Sequence, residues 1–236
     1  VAIAGRLSQR GIFKQEYYFP YVESNQVTST ADCSIQRHTE RETFAGLLDE
    51  YRVGISLIFY MENSMEYRLR LKNSQPVLPK SASLSALSIH GKILLPVQKT
   101  PQQTEDRKKA ASKRSRLIEA AKRGDEEAIE TLTVEDIDLF SSVSRRVARE
   151  DIYSIVDTCF MPSGIECDQY SVIGNILSVD RRINRITGEE IFLLGLECND
   201  LLFTAAINAA DLLGEPVPGR RFKGQVWIQG NVCFEA

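Results

Sequence analysis

The feature that most constrains the fold is a change of pattern along the chain, from strand-like to helical and back to strand-like. Residues 1–103 are mostly strand-like, with short runs rich in β-branched and aromatic residues between turn residues. Residues 104–161 show helical spacing of apolar residues, and residues 162–236 return to strand-like runs. Helices and strands that are segregated in this way predict an α+β protein.

The last segment has the features of a small antiparallel β-barrel. Gly174 interrupts a strand-like run, and a glycine in that position often marks a bulge or a bend in a barrel. Turn residues at Thr187-Gly188 and Asn199-Asp200 separate the strand-like runs that follow. We therefore expect residues 162–236 to form an OB-like barrel. Whether the two strand-rich segments form one body or two stays open.

Charge is segregated within the helical segment. Residues 107–123 hold eight basic side chains and one acid, whereas residues 124–138 hold seven acids and no base. Such runs are usually solvated faces, but they also fit two antiparallel helices whose opposite charges meet, or a basic helix offered to a partner. Because a Gly124-Asp125 turn joins the two runs, pairing within the chain is favoured over a partner.

Three local patterns in the sequence give specific expectations. Residues 65–71 alternate apolar and polar side chains, which predicts a half-buried strand. The run Thr133-Val-Glu-Asp136 has the form of a capping box and predicts a helix start. After it, apolar and small residues step by three and four along one stripe: Ile137, Phe140, Ser144 and Val147.

Composition bounds the function classes. The net charge of −3 argues mildly against a dedicated duplex-DNA binder, although it results from cancellation between charged runs and leaves room for a local basic site. No apolar run reaches the length of about 18 residues that a membrane span needs. The five cysteines include no C-x-x-C pair, which predicts a reducing cytosol and cysteines used as small buried side chains. We therefore expect a cytoplasmic protein.

No metal, cofactor or catalytic signature is found in the sequence. Only two histidines are present, His38 and His90, and strand-like surroundings favour a structural role for both. Cys167 and Cys198 stand beside acids, but a nearby acid raises the pKa of a thiol, so a metal or redox role is disfavoured. Walker A, G-x-G-x-x-G, G-x-S-x-G and kinase motifs do not occur, and we predict no catalytic residues and no cofactor.

The last strand offers a candidate ligand-binding face. Alternation places Val226 and Ile228 on one side of the strand, and the only tryptophan on the other side among polar residues. An aromatic ring beside cations is typical of a platform on which bases stack. The alternative is a tryptophan that covers one end of the barrel or packs under the helices, with its arginines turned to solvent. The candidate residues are Trp227, Lys223, Gln225, Gln229, Arg220 and Arg221, with Arg181, Arg182 and Arg185 of the first hairpin as additions.

A weaker hypothesis concerns cyclic dinucleotides. The pair Arg145-Arg146 with Arg149, followed by Gln169-x-Ser171-x-x-Gly174, resembles the two-part signature of PilZ domains, which bind cyclic di-GMP. The chain departs from that signature, because Gln169 stands where Asp or Asn belongs. The arginines also lie in a helical pattern, and the second part lies in a strand-like run.

Several longer motifs, spread over nearly the whole chain, resemble a family of uncharacterised proteins from anaerobic clostridia and their gut relatives, catalogued as a domain of unknown function. These motifs are YYFPY at 17–21, LSALS at 84–88, GKILLP at 91–96, AAKRGDEEAIETLT at 120–133, ECDQYSVIG at 166–174, ECND at 197–200, DLLGEP at 211–216 and GRRFKG at 219–224. The resemblance implies a cytoplasmic bacterial protein and implies no activity. Taken with the residues, it leads us to expect a non-enzymatic binding or interaction module that uses the face of the C-terminal barrel. A protein partner is favoured; a nucleotide or single-stranded nucleic acid, and an enzyme without a recognisable signature, are the alternatives.

Overall fold

The computed structural model describes residues 1–24, 26–37, 43–97, 101–165 and 167–235. It shows a mixed α+β protein that is rich in strands, as the pattern along the chain predicts. His38 lies outside the described residues. None of the described helices is both long enough and apolar enough to cross a membrane.

The described helices and strands fall into three groups along the chain. The first strands are β1 (Ala2–Leu7), β2 (Phe13–Phe19), β3 (Cys33–Arg37), β4 (Phe44–Glu50), β5 (Ile55–Met61) and β6 (Pro79–Leu94), with helix α1 (Ser64–Lys72) between β5 and β6. The helices α2 (Pro101–Lys122), α3 (Glu126–Val147) and α4 (Ile152–Ile155) follow. The last strands are β7 (Cys159–Pro162), β8 (Gln169–Ile183), β9 (Glu190–Cys198), β10 (Leu201–Asn208), β11 (Leu212–Leu213) and β12 (Arg221–Phe234).

Strands from both strand-rich segments share one sheet. Its order is β11-β6-β10-β9-β8-β12-β5-β4-β3, with β7 paired to β8, while β1 and β2 form a separate two-stranded sheet. The long strand β12 also pairs with β6, so the pairing β6-β10-β9-β8-β12 returns to β6. One of these five strands, β6, comes from the first segment, and the other four come from the last.

The hydrophobic core is built by the inward faces of these strands. On β12, Phe222, Val226 and Ile228 belong to the core cluster, and Leu84 of β6 and Leu196 of β9 pack in the same cluster. Each of these side chains is at most 2% exposed. Burial of an apolar side chain of this size contributes about 1.5–3 kcal/mol, so the core stabilises the arrangement that presents the opposite, polar face of β12.

The strand predicted for residues 65–71 is wrong, because this segment is the helix α1. Tyr67 packs against Phe44 and Phe234, with ring centroids 5.0 Å and 6.0 Å away. The other apolar side chains of the alternation, Met65 and Leu69 among them, are exposed, so the alternation does not reflect burial. The segment contains strong helix formers and an (i, i+4) pair between Glu66 and Arg70, which together favour a helix.

The helical segment follows the prediction at its turn and departs from it further on. Gly124 has a φ of 88°, and the Asp125 side chain accepts a hydrogen bond from the Ala128 amide, so the first helix ends and the second begins where expected. The prediction that a helix begins at Thr133 is wrong. Helix α3 runs through it, and the Thr133 hydroxyl donates to the carbonyl of Ile129, because Asp125 has already capped the helix and nothing interrupts it.

Opposite charges of α2 and α3 do meet. Lys113 lies 2.7 Å from Glu135, and Arg114 lies 2.8 Å from Asp136. The pairing predicted within the chain is therefore confirmed for these residues. All four side chains are solvated, so each pair contributes at most about 1 kcal/mol. A third pair, Lys122 with Asp49 of β4 at 2.5 Å, joins the base of the helical hairpin to the sheet.

The cysteines fit the predicted burial only in part. All five are free thiols, and Cys198 is buried. Cys233 is exposed, contrary to the expectation from its apolar neighbours, because Val232 and Phe234 face the core and the residue between them faces outward.

A half-buried carboxyl group, that of Glu62, lies just beyond β5. The Glu62 carboxylate accepts hydrogen bonds from Ser85 Oγ at 2.8 Å and from Asn231 Nδ2 at 2.7 Å. Burial raises the pKa of Glu62, and the nearby charge of Glu23 raises it further, against the effect of the two hydrogen bonds. The folded protein therefore binds this proton more tightly than the unfolded chain does.

Replacing Glu62 with glutamine should remove one contribution to the dependence of stability on pH. Because the pKa is higher in the folded state, the wild type gains stability relative to Glu62→Gln as the pH falls through the raised pKa towards the ordinary glutamate value of 4.5. Thermal unfolding of both proteins across this range measures the difference. Glu119→Gln, at an exposed position of α2, is the control and should keep the wild-type dependence. Parallel curves for the wild type and Glu62→Gln would contradict the prediction.

Candidate functional site

The outer face of β12 carries the residues that the sequence analysis selected. Lys223, Gln225 and Trp227 are half-buried and alternate with the buried Gly224, Val226 and Ile228. The predicted facing of this strand is therefore confirmed. Gln229 departs from it in one respect, because it is 0% exposed. Its Nε2 donates to the carbonyl of Pro20 at 2.8 Å, so the segment after β2 covers this end of the face.

Trp227 is anchored by two contacts. Its Nε1 donates to Oδ2 of Asp168 at 2.7 Å, and its ring centroid lies 5.2 Å from that of Tyr60. Tyr60 in turn makes an edge contact with Phe19 at 4.8 Å. These contacts hold the indole in one orientation, with part of its surface left open to solvent.

Two lysines meet at a tyrosine beside this face. The register of β6 and β12 places Lys92 opposite Lys223. Their ammonium groups lie 4.8 Å and 4.5 Å from the centroid of the Tyr153 ring, and Lys223 also donates to the Tyr153 hydroxyl. The hydrogen bond from Lys223 and the two positive charges lower the pKa of Tyr153. Two positive charges gathered at one ring favour the binding of an anion beside them.

Arg221 holds Tyr153 in place and is itself buried. The residue is 3% exposed. Its guanidinium donates to four carbonyl oxygens, those of Leu95 at 2.9 Å, Val156 at 2.6 Å, Asp157 at 3.3 Å and Tyr153 at 2.7 Å. Burial lowers the pKa of Arg221. All the described contacts of this side chain are thus made inside the protein, where it joins α4 and the end of β6 to β12.

The remaining candidate arginines lie further from Trp227. Arg220 is half-buried and donates to the carbonyl of Glu215 at 3.0 Å. Arg181 stands eight residues beyond Ile173, the partner of Lys223 on β8, which is a distance of about 26 Å along the strand. Arg182 pairs with Asp180, and Arg185 is exposed in the hairpin turn. The structure therefore brings Lys223, Gln225 and Trp227 together and leaves the hairpin arginines apart from them.

A cavity of about 410 Å³ opens on this face beside the lysine pair. Its lining residues are His90, Gly91, Lys92, Ser171, Leu213, Lys223, Gly224 and Gln225. The lining includes two lysines and a histidine but no aspartate or glutamate. The volume is within the range of pockets for small molecules, and the charge suits an anion.

Comparison with known proteins agrees with the resemblance found in the sequence. The model of a family described as "Domain of unknown function, E. rectale Gene description (DUF3881)" matches residues 1–230. The chain belongs to this family. No curated protein and no solved structure matches the chain. The cavity and the lysine pair of this DUF3881 chain therefore have to be interpreted from their own chemistry.

Three residues that shape the site in this DUF3881 chain were not selected from the sequence: His90, Lys92 and Tyr153. Lys92 and Tyr153 stand 131 and 70 residues before Lys223. Only the pairing of β6 with β12 and the anchoring of α4 by Arg221 bring them to it. His90 lies in β6, is exposed and lines the cavity, and its predicted structural role stays a prediction. No local pattern signals these contacts, because they depend on long-range pairing.

The other motifs occupy different places in the fold. Arg146 pairs with Glu150 at 2.8 Å near the end of α3, whereas Ser171 and Gly174 lie inside β8 and not in a turn. The Cys198 thiol donates to the carbonyl of Cys159 at 3.1 Å, and burial raises its pKa. Across the described parts of the chain, no three or more His, Cys, Asp or Glu side chains are grouped so that they could hold a metal ion.

Proposed function

We propose that this DUF3881 protein is a binding module that holds a small anion on the outer face of β12. The observation that carries the proposal is the lysine pair, with Lys92 and Lys223 on neighbouring strands at the edge of one cavity whose lining has no acid. Two ammonium groups and a histidine match a phosphate or a carboxylate better than a neutral molecule. A nucleotide is the favoured class, because Trp227 lies two residues beyond Gln225 on the same face and offers a ring for a base.

The closed series of strand pairings, β6-β10-β9-β8-β12 and back to β6, supports this choice of face. We propose that β6, β10, β9, β8 and β12 are the small barrel expected from the sequence, with β6 supplied by the first segment. Small barrels with partly open strands bind nucleic acids and sugars on an outer strand face. The cavity lies where β6 and β12, two of the three longest of these five strands, run side by side.

Removal of either lysine should weaken anion binding. The intrinsic fluorescence of Trp227, the only tryptophan, can be followed while ATP, cyclic di-GMP, a short oligo-dT and inorganic phosphate are each added. We expect a saturable change with at least one of them, and a dissociation constant about tenfold or more higher in Lys92→Gln and in Lys223→Gln, as loss of one charged hydrogen bond implies. Calorimetry on the same samples confirms the constants.

Lys80→Gln is the matched control, because it removes the same charge at an exposed position of β6, about 40 Å along the strand from Lys92. It should bind as the wild type does. Equal affinity in the control and both cavity variants, or no response to any of the four probes, would refute the proposed site. Steady release of phosphate from ATP that is lost in Lys223→Gln would instead identify an enzyme.

A further inference from the structure

Helix α3 leaves an apolar stripe exposed. Ile129, Ile137, Phe140 and Val147 are 47%, 60%, 75% and 41% exposed. The part of the stripe from Ile137 to Val147 was expected from its spacing, and Ile129 extends it. The described ion pairs with α2 are made by Glu135 and Asp136 of α3. Isolated apolar side chains on a surface are ordinary, but four of them aligned along a helix of 22 residues, with the small Thr133 and Ser144 between them, are typical of an interaction surface.

The spacing of the stripe matches helix pairing. Positions 129, 133, 137, 140, 144 and 147 step by three or four, as the contact positions of a coiled coil do. The spacing of these positions is also nearly the same when the helix is read from either end. If two copies of α3 run antiparallel about a point between 138 and 139, Ile137 faces Phe140 and Thr133 faces Ser144, while Ile129 comes within one residue of Val147. A surface that matches itself after a half-turn is what a two-fold dimer requires.

Charge along α3 favours the same antiparallel arrangement. The first half of the helix contains Glu126 and Glu130, and the chain beyond its middle contains Arg145 and Arg149. Within the described residues, none of these four side chains is part of an ion pair. In the antiparallel arrangement Arg149 is level with residue 128, between the two glutamates, and Arg145 is level with residue 132. A parallel arrangement would place acids against acids and arginines against arginines.

We propose that the protein forms a two-fold symmetric dimer in which the exposed stripe of α3 packs antiparallel against that of a second copy. The dimer joins the helical hairpins and leaves the cavity beside Lys92 and Lys223 free. It is independent of the proposed anion site, since the two surfaces share no residue.

The oligomeric state of the full chain tests this dimer. Sedimentation velocity should show a reversible monomer–dimer equilibrium as the concentration rises from about 1 µM to about 200 µM. The double variant Ile137→Glu, Phe140→Glu should raise the dissociation constant at least about 30-fold, the effect typical of losing a central apolar contact. Ile186→Glu, at a hairpin position that is 91% exposed, is the control and should leave the equilibrium unchanged. A monomer throughout, or a dimer that Ile137→Glu, Phe140→Glu does not weaken, overturns the proposal.

Charge reversal tests the orientation. Arg145→Glu with Arg149→Glu should weaken the dimer, and so should Glu126→Lys with Glu130→Lys, because each places like charges opposite one another. The variant with all four changes should dimerise as the wild type does, since the signs are exchanged at both ends. If the fourfold variant stays as weak as either double variant, the antiparallel arrangement is wrong. Circular dichroism of every variant establishes that α2 and α3 remain helical.

Discussion

Replacing Arg221 with methionine is expected to lower the free energy of unfolding by about 3–5 kcal/mol, because several backbone carbonyls lose a charged donor at once. Methionine fills a similar volume but donates no hydrogen bond. The carbonyls of Leu95, Val156 and Tyr153 would lose their short contacts with the guanidinium. Each buried acceptor left without a donor costs about 1–3 kcal/mol, and partial solvation of the loop reduces the total.

Two further variants separate the geometry of Arg221 from its charge. Arg221→Lys keeps a positive charge, but an ammonium group cannot donate to all four carbonyls as the planar guanidinium does. Its free energy of unfolding should therefore lie between that of the wild type and that of Arg221→Met. Arg220→Met is the control, because Arg220 is half-buried and makes one such contact; its loss should be at most about 1 kcal/mol. Urea unfolding measures all three. A value for Arg221→Met within about 1 kcal/mol of the wild type would show that the carbonyls find other donors.

Adding a single methyl group at Gly224 is expected to destabilise the protein by about 3 kcal/mol, which is the upper end of ordinary overpacking. Gly224 pairs with Gly91 across β12 and β6, and the ring of the buried Phe222 lies against both glycines. A Cβ at Gly224 would stand 2.4 Å from the Phe222 ring and 2.8 Å from the backbone carbonyl oxygen of His90. The ring can shift, but the carbonyl cannot move without disturbing the β6–β12 pairing.

Gly91→Ala should be less costly than Gly224→Ala. Its Cβ would meet only side chains, the Phe222 ring at 2.4 Å and Ile207 at 3.1 Å. Gly164→Ala is the control, since the nearest atom would be Cys167 Sγ at an ordinary 3.4 Å. Adding Phe222→Leu to Gly224→Ala should recover part of the loss, because the two positions are in contact and their effects do not add. Equal destabilisation by Gly91→Ala and Gly224→Ala would rule out the backbone clash as the cause. Chemical unfolding of the full set provides the comparison.

The confirmed predictions depend on interactions between residues that are close together in the sequence. Alternation along β12 placed Lys223, Gln225 and Trp227 opposite Val226 because successive residues of a strand face opposite sides. The turn at Gly124 was predicted correctly because glycine readily adopts the positive φ found there. Alternation failed at residues 65–71, where helix propensity and one packed tyrosine outweigh a pattern that four or five side chains can show by chance.

Only some residues of the candidate site could be predicted from the sequence. The residues of β12 were found, because they stand together in one run. Their partners Lys92, His90 and Tyr153 were missed, because they reach the face through the β6–β12 register and the contacts of Arg221. The sequence of one strand does not show which residue lies opposite on the strand that pairs with it. A lysine opposite another lysine therefore cannot be distinguished from a lysine opposite an acid.

The sequence alone determined that this is an α+β protein with a charge-segregated helical hairpin, because composition, spacing and turn residues act within a few positions of one another. It also determined which side of β12 is polar. Only the tertiary structure decided that β6 joins the strands of the last segment, that two lysines meet at Tyr153, and that the stripe of α3 stays uncovered. These features depend on which distant segments pair, and that is set by the burial of the whole core and not by any local run of residues.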